Sequence, residues 1–175
     1  MDFTEKTVRR NYIYRGKILS LRCDDAARPD GKPCKREIVE HSGGAAILCV
    51  VNGKVVLVRQ YRYAYGEVLY EIPAGKLEQG EDPSSAARRE LSEETGYETD
   101  SAELLFTLYP SPGYTDEKIY VYEAAEVRAG TRHPDEGEFL SAVSIPLKEA
   151  YGMIERGDIR DAKTVAALLH LKSRE

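Results

Sequence analysis

Cysteine is scarce in this chain, and the spacing of the few that occur excludes two of its common structural uses. The 175 residues contain three: Cys23, Cys34 and Cys49. The number is odd and no C-x-x-C pair occurs, so the sequence indicates neither a disulfide framework nor a zinc site. Cys49 lies in an apolar run, which is typical of a small buried side chain. We therefore expect three reduced cysteines, as in a cytoplasmic protein.

Basic runs and long apolar segments are lacking as well. Lys and Arg total 25 against 30 Asp and Glu, which gives a net charge of −5 and a pI of about 5.4. Because the positive charges form no block, we expect no nucleic-acid partner. Residues 1–12 contain no apolar segment of the signal-peptide kind, so no signal peptide is expected. The longest apolar run, residues 45–51, is far too short to span a membrane, and no membrane partner is expected.

Strand and turn signals divide the chain near residue 42. Three strand-like segments at residues 7–14, 17–26 and 35–40 predict a small antiparallel sheet, too small to bury much apolar surface alone. It must pack on the main domain or on a partner subunit. We therefore predict an N-terminal sheet over residues 1–42 and a main domain over residues 43–175.

The main domain mixes strands with helices that come late in the chain. Asn52 and Gly53 form a strong hairpin signal between two apolar strands, and Pro73 to Gly75 is expected to break the strand that precedes it. Further strands are predicted at residues 103–108, 118–127 and 139–145, and helices at residues 83–95, 146–157 and 162–171. This order favours an α/β fold with a mixed sheet between helices.

The helix at residues 83–95 carries an unusual set of acids. Glu90, Glu93 and Glu94 occupy positions i, i+3 and i+4 and therefore share one helix face, with Glu90 and Glu94 about 40° apart. Ala87 and Leu91 are predicted to face the core, which leaves Glu90 and Glu94 facing outward. Such a face is either an ordinary solvated acidic surface or a site for a cation that neutralises it, and carboxylate oxygens suit Mg²⁺ or Mn²⁺.

The spacing around these acids resembles a family signature. Residues 75–97, GKLEQGEDPSSAARRELSEETGY, fit G-x5-E-x7-R-E-U-x-E-E-x-G-U at each constrained position, where U is a bulky apolar or aromatic residue. This segment resembles the Nudix box of hydrolases that act on nucleoside diphosphates linked to another moiety. The resemblance implies an α/β/α sandwich with a mixed sheet, and divalent-metal-dependent hydrolysis of a pyrophosphate.

The same resemblance assigns roles to individual residues. Glu90 and Glu94 match the main metal ligands, Glu93 matches a secondary ligand with a catalytic role, and the carbonyl of Ala74 matches a backbone ligand. Arg89 matches a catalytic-site residue that orients the glutamates by ion pairing. Glu81 is expected to brace the loop before the helix. The implied cofactor is Mg²⁺, with Mn²⁺ as the alternative.

Segments outside the box resemble one subfamily, the ADP-ribose pyrophosphatases. They are REIVEH at residues 36–41, the segment at residues 59–76, YPSPGYTDEKIYVY at residues 109–122 and GDIRDAKTVAALL at residues 157–169. The resemblance implies hydrolysis of ADP-ribose to AMP and ribose 5-phosphate, and a homodimer formed through the N-terminal sheet. It also assigns substrate contacts, and these fall on Arg62, Arg59, Arg36, Pro112, Tyr12 and Tyr14.

Several alternatives remain open at this stage. Tyr12 and Tyr14 either stack on the adenine or simply pack in the sheet, where tyrosine is favoured. The catalytic base implied by the resemblance is Glu136, in the acidic loop at residues 133–139. Glu138 would then approach a metal, and Glu117 is the rival base. The substrate is ADP-ribose or another nucleoside diphosphate sugar such as GDP-mannose or ADP-glucose, and a non-catalytic nucleotide-sensing module is the third possibility.

Overall fold

The structure is a computed structural model that describes residues 2–133, 137 and 139–175. The described chain divides into two compact units. One contains the residues up to Gly43 together with Tyr109–Lys118, and the other contains Gly44–Leu108 and Ile119–Glu175. The segment 109–118 therefore belongs with the N-terminal strands, a grouping that the sequence did not suggest. The domain boundary at residue 42 stays a prediction.

The N-terminal unit is built on an antiparallel sheet with one long central strand. Its four strands are β1 (Lys6–Arg9), β2 (Tyr12–Arg15), β3 (Leu19–Ala27) and β4 (Pro33–His41). β4 pairs with the whole of one edge of β3, while β1 and β2 share the other edge. The predicted single strand at residues 7–14 is thus two strands. The interruption falls at residues 10–11, where side chains replace part of the backbone pairing: the Asn11 N–H donates to the Asp24 side chain at 3.3 Å, and the Asn11 side-chain amide donates to the Cys23 carbonyl at 3.2 Å.

The inserted segment 109–118 is joined to the outer edge of β4. The Val39 N–H donates to the Tyr114 carbonyl at 2.7 Å, and the Val39 carbonyl accepts the Asp116 N–H at 3.2 Å. The side chain of Asp116 also accepts the N–H of His41 at 2.9 Å. These hydrogen bonds satisfy backbone groups that an edge strand would otherwise leave unpaired.

The second unit contains two four-stranded sheets, one short ribbon and three helices among the described residues. Its strands are β5 (Gly44–Leu48), β6 (Val50–Val51), β7 (Lys54–Arg62), β8 (Glu67–Glu71), β9 (Ala74–Lys76), β10 (Tyr97–Glu98), β11 (Ser101–Leu108), β12 (Ile119–Ala125), β13 (Arg128–Ala129) and β14 (Leu140–Pro146). Its helices are α1 (Pro83–Thr95), α2 (Leu147–Arg156) and α3 (Ala162–Lys172). The order β11-β12-β5-β9 is mixed, because β12 and β5 run parallel. The second sheet has the order β14-β7-β6, with β8 also paired to β7.

The residues of β5 alternate between two hydrophobic cores. Ala45 and Ile47 pack with Ala87 and Leu91 of α1, whereas Ala46 and Leu48 belong to a core that includes buried residues of α2 and α3. Successive side chains of a strand point to opposite faces, so a strand buried on both faces is apolar throughout. The predicted α/β class, with a mixed sheet between helices, is confirmed.

Helix α1 has the ends that its sequence predicts. The Asp82 side chain accepts the Ser85 N–H at 2.9 Å, and Pro83 occupies the first turn, where its missing N–H costs nothing. Gly96 follows the last turn in the left-handed conformation, with a φ of 76°, and its N–H donates to the Ser92 carbonyl. The helix is therefore fixed at both ends, which sets the positions of the acids it carries.

Strand β8 ends before Pro73, as predicted, but a further strand that the sequence did not predict follows at once. Ala74 begins β9, which pairs antiparallel with β5 and places Ala74 opposite Ala46. The pairing brings the backbones close together, because a Cβ added to Gly44 would lie 3.0 Å from the Gly75 carbonyl oxygen. Small residues here allow β9 to lie beside β5, and β9 in turn packs against α1.

Candidate active site

Two of the acids on α1 are buried. Only 8% of Glu90 and 3% of Glu94 are exposed, so the expectation that they face outward is wrong. The reason is β9, which the sequence did not predict and which lies against this face of the helix. The Ala74 N–H donates to Oε2 of Glu94 at 3.0 Å. Two carboxylates of α1 are thus held in a largely water-excluded position.

Gly75 provides the space that the second of these carboxylates occupies. A Cβ added at residue 75 would fall inside van der Waals contact of Oε1, Cδ and Oε2 of Glu90. No side chain larger than hydrogen fits at this position without displacing Glu90. Glu90 and Glu94 therefore converge on the same two residues of backbone, Ala74 and Gly75.

Arg89 connects three glutamates around this position. Its Nε and Nη2 atoms donate to the two oxygens of Glu81 at 2.9 and 3.2 Å. Its Nη1 atom donates to Glu90 at 2.7 Å and to Glu93 at 2.9 Å. Hydrogen bonding to Glu81 is the main reason that the pKa of Arg89 is raised, and the same contact lowers the pKa of Glu81. The guanidinium stays charged and holds the carboxylates in one arrangement.

The donor set fits a hard divalent cation. Glu90, Glu93 and Glu94 supply carboxylate oxygens, which are the ligands that Mg²⁺ and Mn²⁺ prefer, and the backbone of Ala74 contacts Glu94. Within residues 2–133, 137 and 139–175, no three Asp, Glu, His or Cys side chains form a preformed metal cage. The hydrogen bonds from Arg89 Nη1 explain part of this geometry, since they direct one oxygen each of Glu90 and Glu93 toward the guanidinium.

A second charged network lies at the end of β8. Glu71 is 2% exposed, and its two oxygens accept from Nε and Nη2 of Arg62 at 2.6 and 2.7 Å. Oε2 of Glu71 also accepts from Nζ of Lys163 at 2.5 Å. Burial alone would raise the pKa of Glu71, but hydrogen bonds from Arg62 and the charge of Lys163 outweigh it and lower that pKa to about 2.

The start of α3 completes this network. Asp161 caps the helix by accepting the Thr164 N–H at 3.0 Å, and its other oxygen accepts from Lys163 at 3.0 Å. The hydroxyl of Thr164 accepts the Ile72 N–H at 2.8 Å, so α3 is fixed to the chain immediately after β8. A cavity of about 370 Å³ adjoins the network; it is lined by Arg62, Tyr63, Ala64, Tyr65, Leu69, Glu71, Asp161 and Lys163.

The remaining predicted site residue of this unit, Arg59, lies on β7. Its guanidinium carbon is 5.4 Å from the ring centroid of Tyr70, in a cation–π arrangement. Arg59 and Tyr70 are paired across β7 and β8. The structure therefore gives Arg59 a cross-strand contact, and its substrate contact stays a prediction.

The N-terminal unit holds the other predicted substrate residues, and the structure gives contacts for two of them. Arg36 is ion-paired with Glu5, through Nε at 2.8 Å. The Tyr12 hydroxyl donates to Glu40 at 3.3 Å, and the Arg15 guanidinium lies 3.7 Å from the Tyr12 ring centroid. Tyr14 and Pro112 are exposed.

Two predicted residues, Glu136 and Glu138, lie outside the described part of the chain. Described residues on either side of this loop form hydrogen bonds. The His133 N–H donates to the Glu93 carbonyl at 3.1 Å, and Nη2 of Arg132 donates to the Leu140 carbonyl at 2.6 Å. The rival base, Glu117, is 3.5 Å from Nδ1 of His41 in the N-terminal unit. The identity of the base stays a prediction.

Sequence reasoning missed Glu71 and Lys163 as members of the site. They are 92 residues apart, and no spacing rule connects two charges at that separation. One signal was present: both lie in segments that resemble the ADP-ribose pyrophosphatases, and each is a charged residue beside at least one apolar neighbour, Ile72 or Ala162. A charge in such a position is seldom buried unless it has a partner elsewhere in the chain.

Two family models together match most of the chain. A Nudix domain matches residues 40–168, and a nucleoside diphosphate sugar hydrolase N-terminal domain matches residues 5–39. The chain belongs to the Nudix family. The recognition from the box is confirmed, and so is the assignment of the chain as a Nudix hydrolase. Nudix hydrolases generally need a divalent metal.

Several curated Nudix relatives align along nearly the full chain. ADP-ribose pyrophosphatase of Bacillus subtilis (strain 168) is 41% identical, over 98% of this chain and 94% of the relative. Methanol dehydrogenase activator of Bacillus methanolicus is 42% identical, over 99% and 95%. GDP-mannose pyrophosphatase of Cronobacter sakazakii (strain ATCC BAA-894) is 39% identical, over 97% and 93%.

A solved structure supports the Nudix fold independently. The crystal structure of an ADP compounds hydrolase superposes with a TM-score of 0.86 and covers 99% of this chain and 95% of that chain. Its sequence identity is 22%, so the likeness concerns the fold.

The helices of the described part of the chain are all too short or too polar to span a membrane.

Proposed function

We propose that this Nudix hydrolase cleaves the pyrophosphate of ADP-ribose to give AMP and ribose 5-phosphate. The observation that carries the proposal is the convergence of the buried carboxylates of Glu90 and Glu94 on the Ala74–Gly75 backbone. Full-length similarity to an ADP-ribose pyrophosphatase supports this choice of substrate.

The proposed reaction is one hydrolytic displacement at phosphorus. The oxygen of water bonds to one phosphorus as the bond from that phosphorus to the bridging oxygen breaks, and the bridging oxygen leaves on the other phosphate. In our proposal Glu136 accepts the proton of the attacking water, with Glu138 and Glu117 as alternatives. Arg62 contacts the phosphates with the N–H groups that do not bind Glu71, and Arg89 keeps the glutamates in place.

The proposed cofactor is Mg²⁺, with Mn²⁺ as the alternative. Glu90 and Glu94 would hold it, with Glu93, Glu138 and the carbonyl of Ala74 contributing. When bound, the cation would neutralise negative charge on the pyrophosphate. Removing metal with EDTA and restoring activity with either ion would measure this preference.

The N-terminal unit supplies the nucleoside contacts in this proposal, and Pro112 contributes to the substrate site. Tyr12 and Tyr14 would stack on the adenine and Arg36 would lie near the nucleotide. β1 and β2 are exposed along their length, and Ile13 is 64% exposed. Such apolar exposure supports a homodimer formed through this sheet. Light scattering coupled to size exclusion gives the mass directly, and a monomer at every concentration would contradict the homodimer.

The second candidate function is the same chemistry on another nucleoside diphosphate sugar, such as GDP-mannose or ADP-glucose. The similarity to GDP-mannose pyrophosphatase over 97% of the chain favours it. Measuring kcat/KM across a panel of nucleotide sugars separates the two. The first proposal requires ADP-ribose to rank highest and fails if ADP-ribose ranks far below another member.

A non-catalytic nucleotide sensor is the third candidate. It is tested with Glu94→Gln, which keeps the acceptor for the Ala74 N–H but removes the negative charge. We expect the turnover rate to fall by roughly 10²-fold or more, by analogy with other charge-stabilising groups. Equal, slow release of AMP by the wild type and the variant would contradict catalysis. Glu155→Gln, an exposed change on α2, is the matched control.

Solvent labelling tests the reaction itself. In H₂¹⁸O, one ¹⁸O atom should appear in a single product phosphate, detected by mass spectrometry of AMP and ribose 5-phosphate.

We also propose a cytoplasmic location, which the three free cysteines support.

A further inference from the structure

We propose that Lys163 is a positioning residue that acts through Glu71 on Arg62 and thereby on the binding of the substrate pyrophosphate. This inference rests on the proposed function, in which Arg62 contacts the phosphates. It adds to the site a residue of α3, a helix that carries none of the predicted site residues.

Lys163 is buried, so its positive charge needs negatively charged partners. Only 9% of its side chain is exposed, and its ammonium group contacts Glu71 at 2.5 Å and Asp161 at 3.0 Å. A buried ammonium with two carboxylate partners has little freedom to move, because losing either contact removes an opposite charge from the ammonium in a poorly solvated place. Lys163 is therefore a fixed point of the network.

Glu71 contacts both Lys163 and Arg62, so the position of Lys163 affects that of Arg62. Its Oε2 atom accepts from both Lys163 and Nη2 of Arg62, while Oε1 accepts from Nε of Arg62. Two parallel hydrogen bonds fix the plane of a guanidinium as well as its distance. With Nε and one Nη2 hydrogen used in this way, the other three N–H groups of Arg62 are directed away from Glu71.

Of the three residues Lys163, Glu71 and Arg62, only Arg62 is substantially exposed. The side chains of Glu71 and Lys163 are 2% and 9% exposed, whereas that of Arg62 is 41% exposed and lines the cavity. The charges nearest the interior thus compensate one another, and Arg62 is the member that a ligand can reach. A phosphate at Arg62 would meet a guanidinium whose orientation is already set, which lowers the entropic cost of binding.

A mutant cycle distinguishes this role from a purely structural one. The cycle uses Lys163→Met, Arg62→Ala and the double variant, with kcat/KM for the nucleoside diphosphate sugar that the wild type cleaves fastest. We expect roughly 10- to 100-fold loss for each single variant. Because Lys163 acts through Arg62, the double variant should be no worse than Arg62→Ala. A product of the two losses would overturn the proposal, as would unchanged activity in Lys163→Met.

Two controls separate folding from positioning. Lys172→Met removes an exposed lysine from the same helix and should leave kcat/KM unchanged. Thermal unfolding of each variant shows whether it is folded at the assay temperature. If Lys163→Met does not fold, Lys163→Gln retains a donor to Glu71 and takes its place in the cycle.

Binding provides a readout that does not need turnover. Calorimetric titration of the α,β-methylene analogue of ADP-ribose into the four proteins should show the same non-additivity in Kd. If the wild type cleaves GDP-mannose and not ADP-ribose, the proposed substrate fails while the cycle still tests Lys163. In either measurement, a double-variant loss equal to the product of the two single losses would refute the positioning role and leave the proposed function intact.

Discussion

The carboxylate of Glu90 occupies the place where residue 75 would carry a side chain if it were not glycine. The requirement concerns space, since Gly75 has no positive φ. Glycine is thus needed here because the acid of one element and the backbone of another approach too closely for a methyl group. The first residue of the box and its first helical metal-ligand candidate are therefore coupled by packing.

Gly75→Ala should reduce activity strongly. The new methyl group must displace either Glu90 or β9, and misplacing a catalytic group by about 1 Å can cost roughly 10²-fold in rate. The accompanying loss of stability should be about 1–3 kcal/mol, as for other overpacked positions. Steady-state kinetics and urea unfolding measure the two effects.

The control for this change is Gly152→Ala in α2. A Cβ there would meet only Nη1 of Arg156, the far end of a flexible side chain, at 3.0 Å. Alanine is more favourable than glycine in a helix interior, so the free energy of unfolding should rise by about 0.5–1 kcal/mol. The variant should keep full activity. A Gly75→Ala enzyme as active as Gly152→Ala would show that the position of Glu90 is unimportant.

Arg89→Ala should destabilise the fold in a way that Mg²⁺ partly corrects. The change leaves Glu81, Glu90 and Glu93 without their shared cation, which should cost about 3 kcal/mol for a partly buried network. A divalent cation replaces some of that charge, so about 10 mM Mg²⁺ should raise Tm more in the variant than in the wild type. Differential scanning fluorimetry measures the difference.

The neighbouring Arg88→Ala is the matched control for Arg89→Ala. Arg88 bonds to the Ser84 and Asp100 carbonyls and to the Ser85 hydroxyl. Its Tm should respond to Mg²⁺ as the wild type does. If Mg²⁺ raised Tm equally in Arg88→Ala and Arg89→Ala, Arg89 would not be the residue that neutralises the glutamates.

Glu71 should give the protein part of its sensitivity to acid. Its pKa is lowered to about 2 in the folded protein from an ordinary value near 4.5. The folded state therefore binds its proton less tightly, and the stabilisation is present above about pH 4.5 and is lost as pH falls toward 2. At about 1.4 kcal/mol per pKa unit, the contribution is roughly 3 kcal/mol.

Glu71→Gln removes this titration. The variant should be less stable than the wild type at pH 7, because Arg62 and Lys163 lose their charged acceptor. It should also lose less stability between pH 5 and pH 2, as measured by urea unfolding. Glu67→Gln, which alters an exposed ion pair with Arg160, is the control. Parallel acid curves for Glu71→Gln and the wild type would exclude Glu71 as the source.

The three cysteines should react unequally with a thiol reagent. Burial raises the pKa of Cys49 to about 12, and the residue is fully buried, whereas Cys23 and Cys34 are partly accessible. Thiolate is the reactive form, so Cys49 should remain unmodified in the native protein. Titration with Ellman's reagent before and after addition of guanidinium counts the thiols. Native release of all three equivalents would contradict this assignment.

Local signals predict α1 well. Asp82, Pro83 and Gly96 fix the two ends of the helix by capping chemistry that acts within a few residues, and the structure has the predicted bounds. Ala87 and Leu91 are buried, as their spacing predicts. These features depend on neighbours in sequence, which is why the sequence is sufficient to predict them.

Features that depend on distant partners are not predictable in this way. The expectation that Glu90 and Glu94 are exposed is wrong because β9, formed by residues that favour a turn, covers that helix face. The pairing of Glu71 with Lys163 joins residues that no local pattern relates. Tertiary packing decides both outcomes, and a single sequence carries little information about it.

The attachment of α3 to the end of β8 has a consequence for the order in which the enzyme matures. During synthesis the box, β8 and Arg62 leave the ribosome well before Lys163 and Thr164, which follow Glu71 and Ile72 by 92 residues. In the described chain, α3 is the last element in sequence order, so it is synthesised after the strands and after α1 and α2. A nascent chain can therefore form the acid-bearing helix while Arg62 still lacks its final support, so the ability to bind substrate should arise after most of the fold already exists.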